Sequence, residues 1–353
     1  MGIPTELRLD AVKIASGRFD DIIDVRSASE FAEDHLPGAI NLPVLDDDQR
    51  AQIGTIYKQV SPFDARKLGA ALVAANAARH ISGPLADRDG SWRPLVYCWR
   101  GGQRSGAMAI ILAQVGWRVA RVEGGYKSWR AQVIRRVQDL GFPSPVIVLD
   151  GNTGSAKTAI LARLSARGHQ VVDLEALANH RGSLFGHMGD QPGQKLFEGR
   201  LAAALEGLDP TRPVLVEAES SRIGNVTLPK AVWHAVCDAP RIALQVPVAA
   251  RAEFSASDYG DVVADAGRVH DILRRLTSLH PAERIADWLR MADAGQWRDL
   301  AEGLMRDHYD PRYAKHRARY VERERGVVAL ENLQDLDAAA LRVEAALRDL
   351  PGA

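Results

Sequence analysis

The strongest chemical signal in the sequence is YCWRGGQRS, residues 97–105. Its cysteine, Cys98, ends a short apolar run, and a glycine-bearing loop and a helical pattern follow. Backbone N–H groups of such a loop converge on a sulfur, and the N-terminus of the next helix adds partial positive charge. Arg100 and Arg104 add formal charge, which favours a thiolate and bound anions. The segment predicts a reactive cysteine that carries an anionic persulfide or perselenide.

The chain has two cysteines, and we interpret them differently. A lone cysteine is more often a small buried apolar residue than a nucleophile. The loop around Cys98 favours chemistry there. Cys237, in AVCDAP, has no such surroundings and is predicted to be a core residue.

The second signal is GNTGSAKT, residues 151–158, between an apolar strand pattern and a helical one. This context is typical of a P-loop, whose N–H groups hold phosphates while a lysine adds a point charge. The usual glycine before the lysine is alanine here, which we expect to be tolerated if its backbone is helical. The predicted phosphate-binding residues are Gly151, Asn152, Thr153, Gly154, Ser155, Ala156, Lys157 and Thr158. Thr158 would hold magnesium, if the metal is used.

A carboxylate follows a later strand pattern, PVLVEAESSRIG, residues 213–224. Glu217 or Glu219 at its end could orient a metal-bound water or a substrate, although charged strand ends are common. Because small P-loop kinases share this arrangement, a kinase or ATPase remains an alternative.

These motifs require parallel sheets to position them. Apolar strands predicted at 21–25, 94–98 and 119–125 alternate with helices at 64–79 and 105–117. A second alternating series has strands at 146–149, 170–174, 213–219 and 241–246 and a helix from 157 to a stop at Gly168. LGFPSP, 140–145, separates the two series. We therefore expect an α/β protein with domains at 1–138 and 145–353, the latter with a helical segment from about 282.

Composition sets the class of protein. The chain has 353 residues, 46% hydrophobic and 25% charged, with 45 basic and 45 acidic side chains. Zero net charge argues against coating nucleic acid through bulk charge, but leaves a local basic face open. No signal-peptide pattern, lipidation motif or long apolar run occurs, and two cysteines suit a reducing compartment. We expect a cytoplasmic location and no membrane partner.

Three motifs in order give the first part of the chain a family resemblance. DVRSASEFAEDHLPGAINLP (24–43), the cysteine loop and VEGGYKSW (122–129) together resemble the rhodanese domain. The resemblance implies that Cys98 carries sulfur and that His35, Pro37 and Gly38 are structural. Five residues separate Cys98 from Arg104, a spacing shared with related phosphatases, so a phosphatase remains a rival. The loop contains no carboxylate, which fits anion capture better than ester hydrolysis.

Motifs beyond the phosphate loop extend the resemblance over nearly the whole chain. HRGSLFG (180–186), KLFEGRL (195–201), VEAESSRIG (216–224) and YDP (309–311) resemble the tRNA 2-selenouridine synthase family, a rhodanese domain fused to a P-loop domain. The resemblance implies exchange of sulfur for selenium in wobble 2-thiouridine of tRNA. Its implied substrates are geranyl diphosphate, which gives an S-geranyl intermediate, and selenophosphate. No tightly bound cofactor is expected, and magnesium stays open. The alternative is a sulfurtransferase or phosphatase with an accessory P-loop kinase-like domain.

The predicted tRNA contacts are basic residues in these motifs and near the C-terminus. PRYAKHRARY, residues 311–320, combines arginines with two tyrosines, which suits phosphate contacts and base stacking, although a solvated helix face would look similar. The residues concerned are Arg181, Arg222, Arg312, Lys315, Arg317 and Arg319. The sequence assigns no oligomeric state.

Overall fold

The computed structural model describes residues 4–7, 18–181, 185–186, 189–258 and 266–350. These residues form two compact α/β units. The first comprises residues 1–139 and 193–207, and the second comprises residues 140–192 and 208–353. No helix among the described residues is long and apolar enough to cross a membrane.

The first unit contains a five-stranded parallel sheet in the order β1-β5-β4-β2-β3. Its strands are β1 Thr5–Leu7, β2 Asp21–Asp24, β3 Ala39–Asn41, β4 Pro94–Tyr97 and β5 Ala120–Val122. Its helices are Ala28–Glu33, Asp47–Gln59, Pro62–Ser82, Gln103–Val115, Gly125–Ile134 and Gln194–Glu206, with a π-helical turn at Arg135–Leu140. The predicted strands at β2, β4 and β5 and both predicted helices are confirmed. The sequence interpretation missed β1, the helix Asp47–Gln59 and the helix Gln194–Glu206.

The core of this unit lies between the sheet and the helices Pro62–Ser82 and Gln103–Val115. Ile23, Val96, Met108 and Leu112 are buried there. Burial of side chains of this size stabilises the unit by about 2 kcal/mol each. The core fixes β4, and thereby the position at which Cys98 leaves the sheet.

The helix Gln194–Glu206 belongs to the first unit although its sequence lies far downstream. Phe197, Leu201 and Leu205 on it are fully buried, and Arg130 is paired with its Glu198. Gly199 permits a close approach, since a Cβ there would lie 2.7 Å from Cη2 of Trp129. This assignment differs from the expected domain 145–353, because the apolar face of this helix packs on the first unit.

The second unit contains a five-stranded parallel sheet in the order β12-β11-β6-β8-β7. Its strands are β6 Val146–Gly151, β7 Gln170–Val172, β8 Val214–Glu217, β11 Arg241–Gln245 and β12 Glu324–Ala329, with a separate hairpin of β9 Arg222–Ile223 and β10 Val226–Thr227. Its helices are Lys157–Ala166, Leu174–Leu177, Lys230–Asp238, Val248–Asp258, Ala266–Arg274, Ala282–Asp293, Trp297–Leu304, Asp310–Arg317 and Leu336–Arg348. Short 3₁₀ segments at Arg275–Ser278 and Ala318–Arg323 and a π-helical turn at Met305–Tyr309 join them.

The predicted helical segment from about 282 is interrupted by β12, which the sequence interpretation missed. β12 pairs with β11 at the sheet edge, and much of it is exposed. Its sequence, ERGVVA, begins with charged residues and therefore lacks the continuous apolar run of a central parallel strand. The helices before β12 bury Trp288, Leu273 and Leu304 in a core of their own.

Candidate functional site

The cysteine loop of the first unit is held by the glycine turn that follows β5. The backbone N–H of Tyr126 donates to the carbonyl of Cys98 at 2.9 Å. Gly125 has φ +59, and a Cβ there would lie 2.3 Å from that carbonyl oxygen. Gly101, inside the loop, has φ +68, and a Cβ there would lie 2.7 Å from the carbonyl oxygen of Val122. Gly125 of VEGG and Gly101 of the loop therefore position the loop, and side chains at these two places would displace it.

Cys98 lies at the base of the loop and is only 3% exposed. Its Sγ lies 3.1 Å from Oγ of Ser105, a fully buried residue in the first turn of the helix Gln103–Val115. Sequence reasoning did not assign Ser105, although it ends the quoted motif. The hydroxyl gives the sulfur a hydrogen-bonding partner at the N-terminus of a helix, where partial positive charge favours an anion.

The two loop arginines do not act as an equal pair. Arg104 donates to the carboxylate of Glu30, with an Nη1–Oε2 distance of 2.7 Å. Arg50 also reaches Oε2 of Glu30, at 3.3 Å. Arg100 is exposed, as expected of a residue that meets anions from solvent. The loop sequence itself contains no acid, but Glu30 from the helix Ala28–Glu33 brings a carboxylate to the loop.

Glu30 is ionised at neutral pH. Burial raises the pKa of its carboxyl, but the hydrogen bond and charge of Arg104, with Ser27 and Arg50, lower the pKa below its ordinary value. A cavity of about 530 Å³ opens beside this pair. Its lining residues are Ser29, Glu30, Glu33, Arg50, Trp99 and Arg104. An anion in the cavity would compete with Glu30 for Arg104.

A buried polar network lies next to the loop. Arg26 contacts both carboxylate oxygens of Asp24, and its guanidinium carbon lies 4.1 Å from the centre of the Tyr126 ring. The hydroxyl of Tyr126 donates to Asp34 at 2.8 Å. Burial raises the pKa of Asp34 to about 6, although Tyr126 and Arg130 oppose the shift. The network fixes the aromatic ring that lies under Trp99 of the loop.

The segment around His35, Pro37 and Gly38 was expected to be structural, and His35 packs against Phe31. Nδ1 of His35 lies 2.8 Å from the carbonyl oxygen of Phe31, and the two rings stack at 3.9 Å. Gly38 has φ +74, which favours glycine.

The phosphate loop of the second unit joins β6 to the helix Lys157–Ala166. Nζ of Lys157 donates to the carbonyl of Gly151 at 2.9 Å, so the lysine is folded back over the loop. Gly154 has φ +79, and a Cβ there would lie 2.5 Å from Cε of Met305 and 2.6 Å from Oγ of Ser255. Glycine is therefore required at position 154 for both conformation and space.

Ala156 does not meet the condition expected from sequence. Its backbone is left-handed, with φ 59 and ψ 27, rather than right-handed helical. A left-handed backbone costs an L-residue about 1–2 kcal/mol. The alanine is accommodated, but at a cost that the expected helical angle would not have carried.

Two residues that sequence reasoning did not assign brace the phosphate loop. Arg251 is buried and donates to the carbonyl of Thr153 at 3.0 Å and to Asp310 at 2.7 and 3.0 Å. Asp310 in turn accepts from the side chain of Asn152 at 3.1 Å. The YDP motif contains Asp310, so this motif serves the loop.

Four acidic side chains gather beside the phosphate loop. Oγ1 of Thr158 donates to Glu175 at 3.1 Å, and Glu217 accepts from the backbone N–H of Glu175 at 2.8 Å. Burial, followed by the charges of Asp173 and Glu175, raises the pKa of Glu217 to about 8. Burial and the charge of Glu175 also raise the pKa of Glu219 well above its ordinary value. At neutral pH this cluster therefore retains protons.

Glu217 and Glu219 differ in position. Glu219 lines the cavity above the phosphate loop, whereas Glu217 is fully buried beneath it. No group of three or more His, Cys, Asp or Glu in the described part of the chain could hold a metal ion. Magnesium usually takes only one or two carboxylates together with substrate phosphates. Glu175 offers one such carboxylate, and the neighbouring hydroxyl of Thr158 offers a further oxygen.

The cavity above the phosphate loop measures about 380 Å³. Lys157, Thr158, Arg181, Glu219 and Tyr313 form part of its wall. Other parts are apolar: Ala159, Ala162, Ala176 and Phe254. The cavity therefore suits a ligand with a charged phosphate end and an apolar end.

The residues predicted to contact tRNA lie in different surroundings in the structure. Arg181 lies in the wall of this cavity. Arg222 is exposed on the β9–β10 hairpin, where its Nε donates to the carbonyl of Gly224 at 2.8 Å. Arg312, Lys315 and Arg319 are exposed. Part of the motif at 180–186 lies outside the described residues, namely residues 182–184.

Three residues of the predicted RNA surface at 311–320 are partly buried and contact other side chains of the second unit. Nη1 of Arg317 contacts Asn152 at 3.5 Å, and its Nε lies 3.7 Å from Asp150. Tyr313 lines the cavity, and Tyr320 lies against Arg241 with the guanidinium carbon 4.0 Å from its ring centre. Tyr313 lies on the short helix Asp310–Arg317, which contacts the phosphate loop through Asp310, whereas Tyr320 lies in the 3₁₀ segment Ala318–Arg323.

Cys237 was predicted to be a core residue, and this prediction is wrong. It is partly exposed, and its Sγ lies 3.3 Å from the hydroxyl of Tyr320.

Comparison with protein families assigns both units. A rhodanese-like domain model matches residues 9–132, and a model described as tRNA 2-selenouridine synthase AAA domain matches residues 144–272. The described fold agrees with these matches: a rhodanese-like parallel-sheet unit, a P-loop-like α/β unit and a helical C-terminal region.

Comparison with curated proteins gives relatives over most of the chain. A tRNA 2-selenouridine synthase from Hahella chejuensis is 33% identical over 334 residues, which cover 86% of each chain. One from Verminephrobacter eiseniae is 34% identical over 327 residues, covering 84% of this chain and 88% of the relative. One from Aeromonas salmonicida is 38% identical over 270 residues, covering 75% and 69%.

Proposed function

The chain belongs to the tRNA 2-selenouridine synthase family, and from this membership we propose that it is a tRNA-modifying enzyme that replaces sulfur by selenium in wobble 2-thiouridine. The proposed reaction has two steps, S-geranylation of the thiouridine and its selenation. The two candidate loops lie in different units, and we assign one step to each.

The first step takes geranyl diphosphate into the cavity above the phosphate loop. The thiouridine sulfur attacks carbon 1 of the geranyl chain, and the carbon–oxygen bond to diphosphate breaks with its electrons on the leaving oxygen. N3 of the thiouridine releases its proton to solvent, which leaves a neutral S-geranyl product. Lys157, Arg181 and the loop N–H groups stabilise the leaving diphosphate. Phe254 and the alanines of the wall offer an apolar surface to the geranyl chain. Thr158 would meet a magnesium ion on the diphosphate, and the ion would neutralise charge there.

The second step takes selenophosphate to the cysteine loop. Alkylation makes the sulfur a better leaving group. The sulfur of a thione leaves carbon 2 poorly, whereas the alkylated sulfur departs as a thiol. The selenium attacks carbon 2, and the geranyl thiolate leaves and takes a proton from solvent. Water then cleaves the selenium–phosphorus bond to release phosphate, and N3 of the base regains a proton from solvent. Selenium keeps its oxidation state throughout, so no oxidant is needed. Cys98, Arg100 and Arg104 position the selenophosphate, with Arg104 exchanging Glu30 for the anion.

One observation carries this proposal: a single chain holds both a rhodanese-type cysteine loop and a phosphate loop with a partly apolar cavity. A simple sulfurtransferase needs only the first loop, and the apolar part of the cavity offers a surface for the geranyl chain.

Nucleoside mass spectrometry tests the proposed reaction. Purified protein is incubated with tRNA containing 2-thiouridine, geranyl diphosphate and selenophosphate, and each donor is omitted in turn. We expect S-geranyl-2-thiouridine with the first donor alone and 2-selenouridine with both. Unchanged 2-thiouridine under every condition would refute the proposal.

A further inference from the structure

Two aromatic side chains stand out on the surface of the first unit. Among the described residues, Tyr57 and Phe63 are the large aromatics with more than a third of their surface exposed, at 54% and 67%. Val60, between them in sequence, is 74% exposed. All three lie where the helices Asp47–Gln59 and Pro62–Ser82 meet, so we call residues 57–67 the hairpin tip.

The hairpin tip has a defined backbone. The N–H groups of Val60 and Ser61 both donate to the carbonyl of Ile56 at 3.0 Å. Oγ of Ser61 accepts from the N–H of Asp64 at 3.2 Å, and Pro62 occupies the start of the second helix. Such caps fix the turn, so the exposed rings are presented by an ordered element at low entropic cost.

Charge at the tip is predominantly positive. Lys58, Arg66 and Lys67 are exposed there, and one carboxylate, Asp64, lies 3.3 Å from Lys67. The acidic residues Asp46–Asp48 lie at the opposite end of the helix Asp47–Gln59, about 15 Å away at the rise of an α-helix. Exposed aromatics beside cations match single-stranded RNA, which offers base faces and phosphates together.

We propose that the hairpin tip binds single-stranded RNA of the tRNA substrate, with Tyr57 and Phe63 stacking on bases and Lys58, Arg66 and Lys67 contacting phosphates. The proposal rests on the proposed function and names a surface for its substrate. Its aromatic rings are more exposed than those of Tyr313 and Tyr320, which are partly buried against other side chains.

The test uses the full chain and a fluorescent anticodon stem–loop RNA containing 2-thiouridine, with affinity measured by anisotropy. Loss of stacking weakens binding by about 5- to 150-fold for each base. Y57A combined with F63A should therefore raise Kd at least fivefold, and Y57W combined with F63W should retain affinity. Leu279 and Leu341 are 50% and 49% exposed elsewhere, so L279A combined with L341A is the matched control and should leave Kd unchanged.

A salt titration examines the cations separately. Each lost contact to a single-stranded phosphate reduces the slope of log K against log salt by about 0.7. K58Q combined with R66Q should therefore reduce the slope by about 1.4. Circular dichroism melting of every variant separates lost binding from lost folding.

The outcomes distinguish this surface from the proposed reaction. If the wild type modifies tRNA but Y57A with F63A binds RNA as tightly as the wild type, the hairpin tip proposal is overturned and the function stands. If the same variant also dissociates a wild-type oligomer in sedimentation, the tip is a protein interface instead. If the wild type neither binds nor modifies tRNA, the proposed function fails together with the tip.

Discussion

Arg104 and Glu30 form an ion pair at the mouth of the cysteine loop, with distances of 2.7 and 3.4 Å from the guanidinium to the two carboxylate oxygens. The loop arginine that should meet an incoming anion is thus already engaged. Because the adjoining cavity of about 530 Å³ contains both side chains, an anion bound there faces one attractive and one repulsive group.

Removal of the Glu30 charge should strengthen selenophosphate binding. E30Q leaves a neutral partner for Arg104, and loss of one like charge near a partly exposed site is worth about 1 kcal/mol. We expect the KM for selenophosphate to fall about fivefold. Glu33 lines the same cavity but is more exposed and pairs with Lys195, so E33Q should change KM less than twofold. A higher KM in E30Q would show that Glu30 positions Arg104 rather than competing with the anion.

The left-handed backbone of Ala156 predicts a stabilising glycine substitution. A156G removes a conformational cost of about 1–2 kcal/mol from the folded state. It also makes the unfolded chain more flexible, which lowers the stability by about 0.4–1 kcal/mol. The free energy of unfolding should rise by about 0.5–1 kcal/mol in urea titrations. A162G, in the following helix, provides the opposite case and should lose about 1 kcal/mol. Destabilisation by both substitutions would contradict the left-handed assignment.

The raised pKa of Asp34 predicts that the folded protein loses stability as the pH rises from 4 to 6. Since its folded pKa of about 6 lies above the ordinary 3.8, the unfolded chain releases this proton first as pH rises. The contribution amounts to about 3 kcal/mol, present below pH 4 and lost by pH 7. Urea unfolding across this range should show a pH dependence in the wild type that D34N lacks.

A second variant checks the cause of this dependence. Tyr126 lowers the pKa of Asp34 through its hydrogen bond, so Y126F should extend the loss of stability to higher pH. The same pH profile in D34N and the wild type would assign the dependence to other groups.

Arg181 should act on the diphosphate donor rather than on RNA. A charge-assisted hydrogen bond is worth about 1.5–3 kcal/mol, so R181A should raise the KM for geranyl diphosphate about 10- to 100-fold. RNA affinity measured by anisotropy should stay unchanged. R222A, which alters an exposed arginine on the β9–β10 hairpin, should leave the donor KM as it is. Equal effects of both variants on RNA affinity would return Arg181 to the tRNA surface.

The sequence predicted the strands and turns that local motifs determine. The strands before Cys98 and Gly151 are continuous apolar runs, and glycines mark the turns at both loops. Such signals are local, so they locate both loops. The helix Gln194–Glu206 shows the limit: the sequence interpretation missed it, and no local pattern indicates which unit buries its apolar face.

Side-chain partners were the least predictable part of the site. Glu30 lies 74 positions before Arg104, and Arg251 lies 59 positions before Asp310. Only the fold brings these charges together. Tyr313 and Tyr320 suggested an exposed stacking surface by their spacing, but both are partly buried: Tyr313 lines the cavity above the phosphate loop, and Tyr320 packs on Arg241.

The central claim is that the two loops serve two separable steps, and nucleoside mass spectrometry of two variants tests it most directly. K157A should fail to geranylate 2-thiouridine RNA, yet should convert RNA that is already S-geranylated to 2-selenouridine. C98A should accumulate S-geranyl-2-thiouridine and form no 2-selenouridine. Normal geranylation by K157A, or normal selenation of S-geranylated RNA by C98A, would contradict this division of labour.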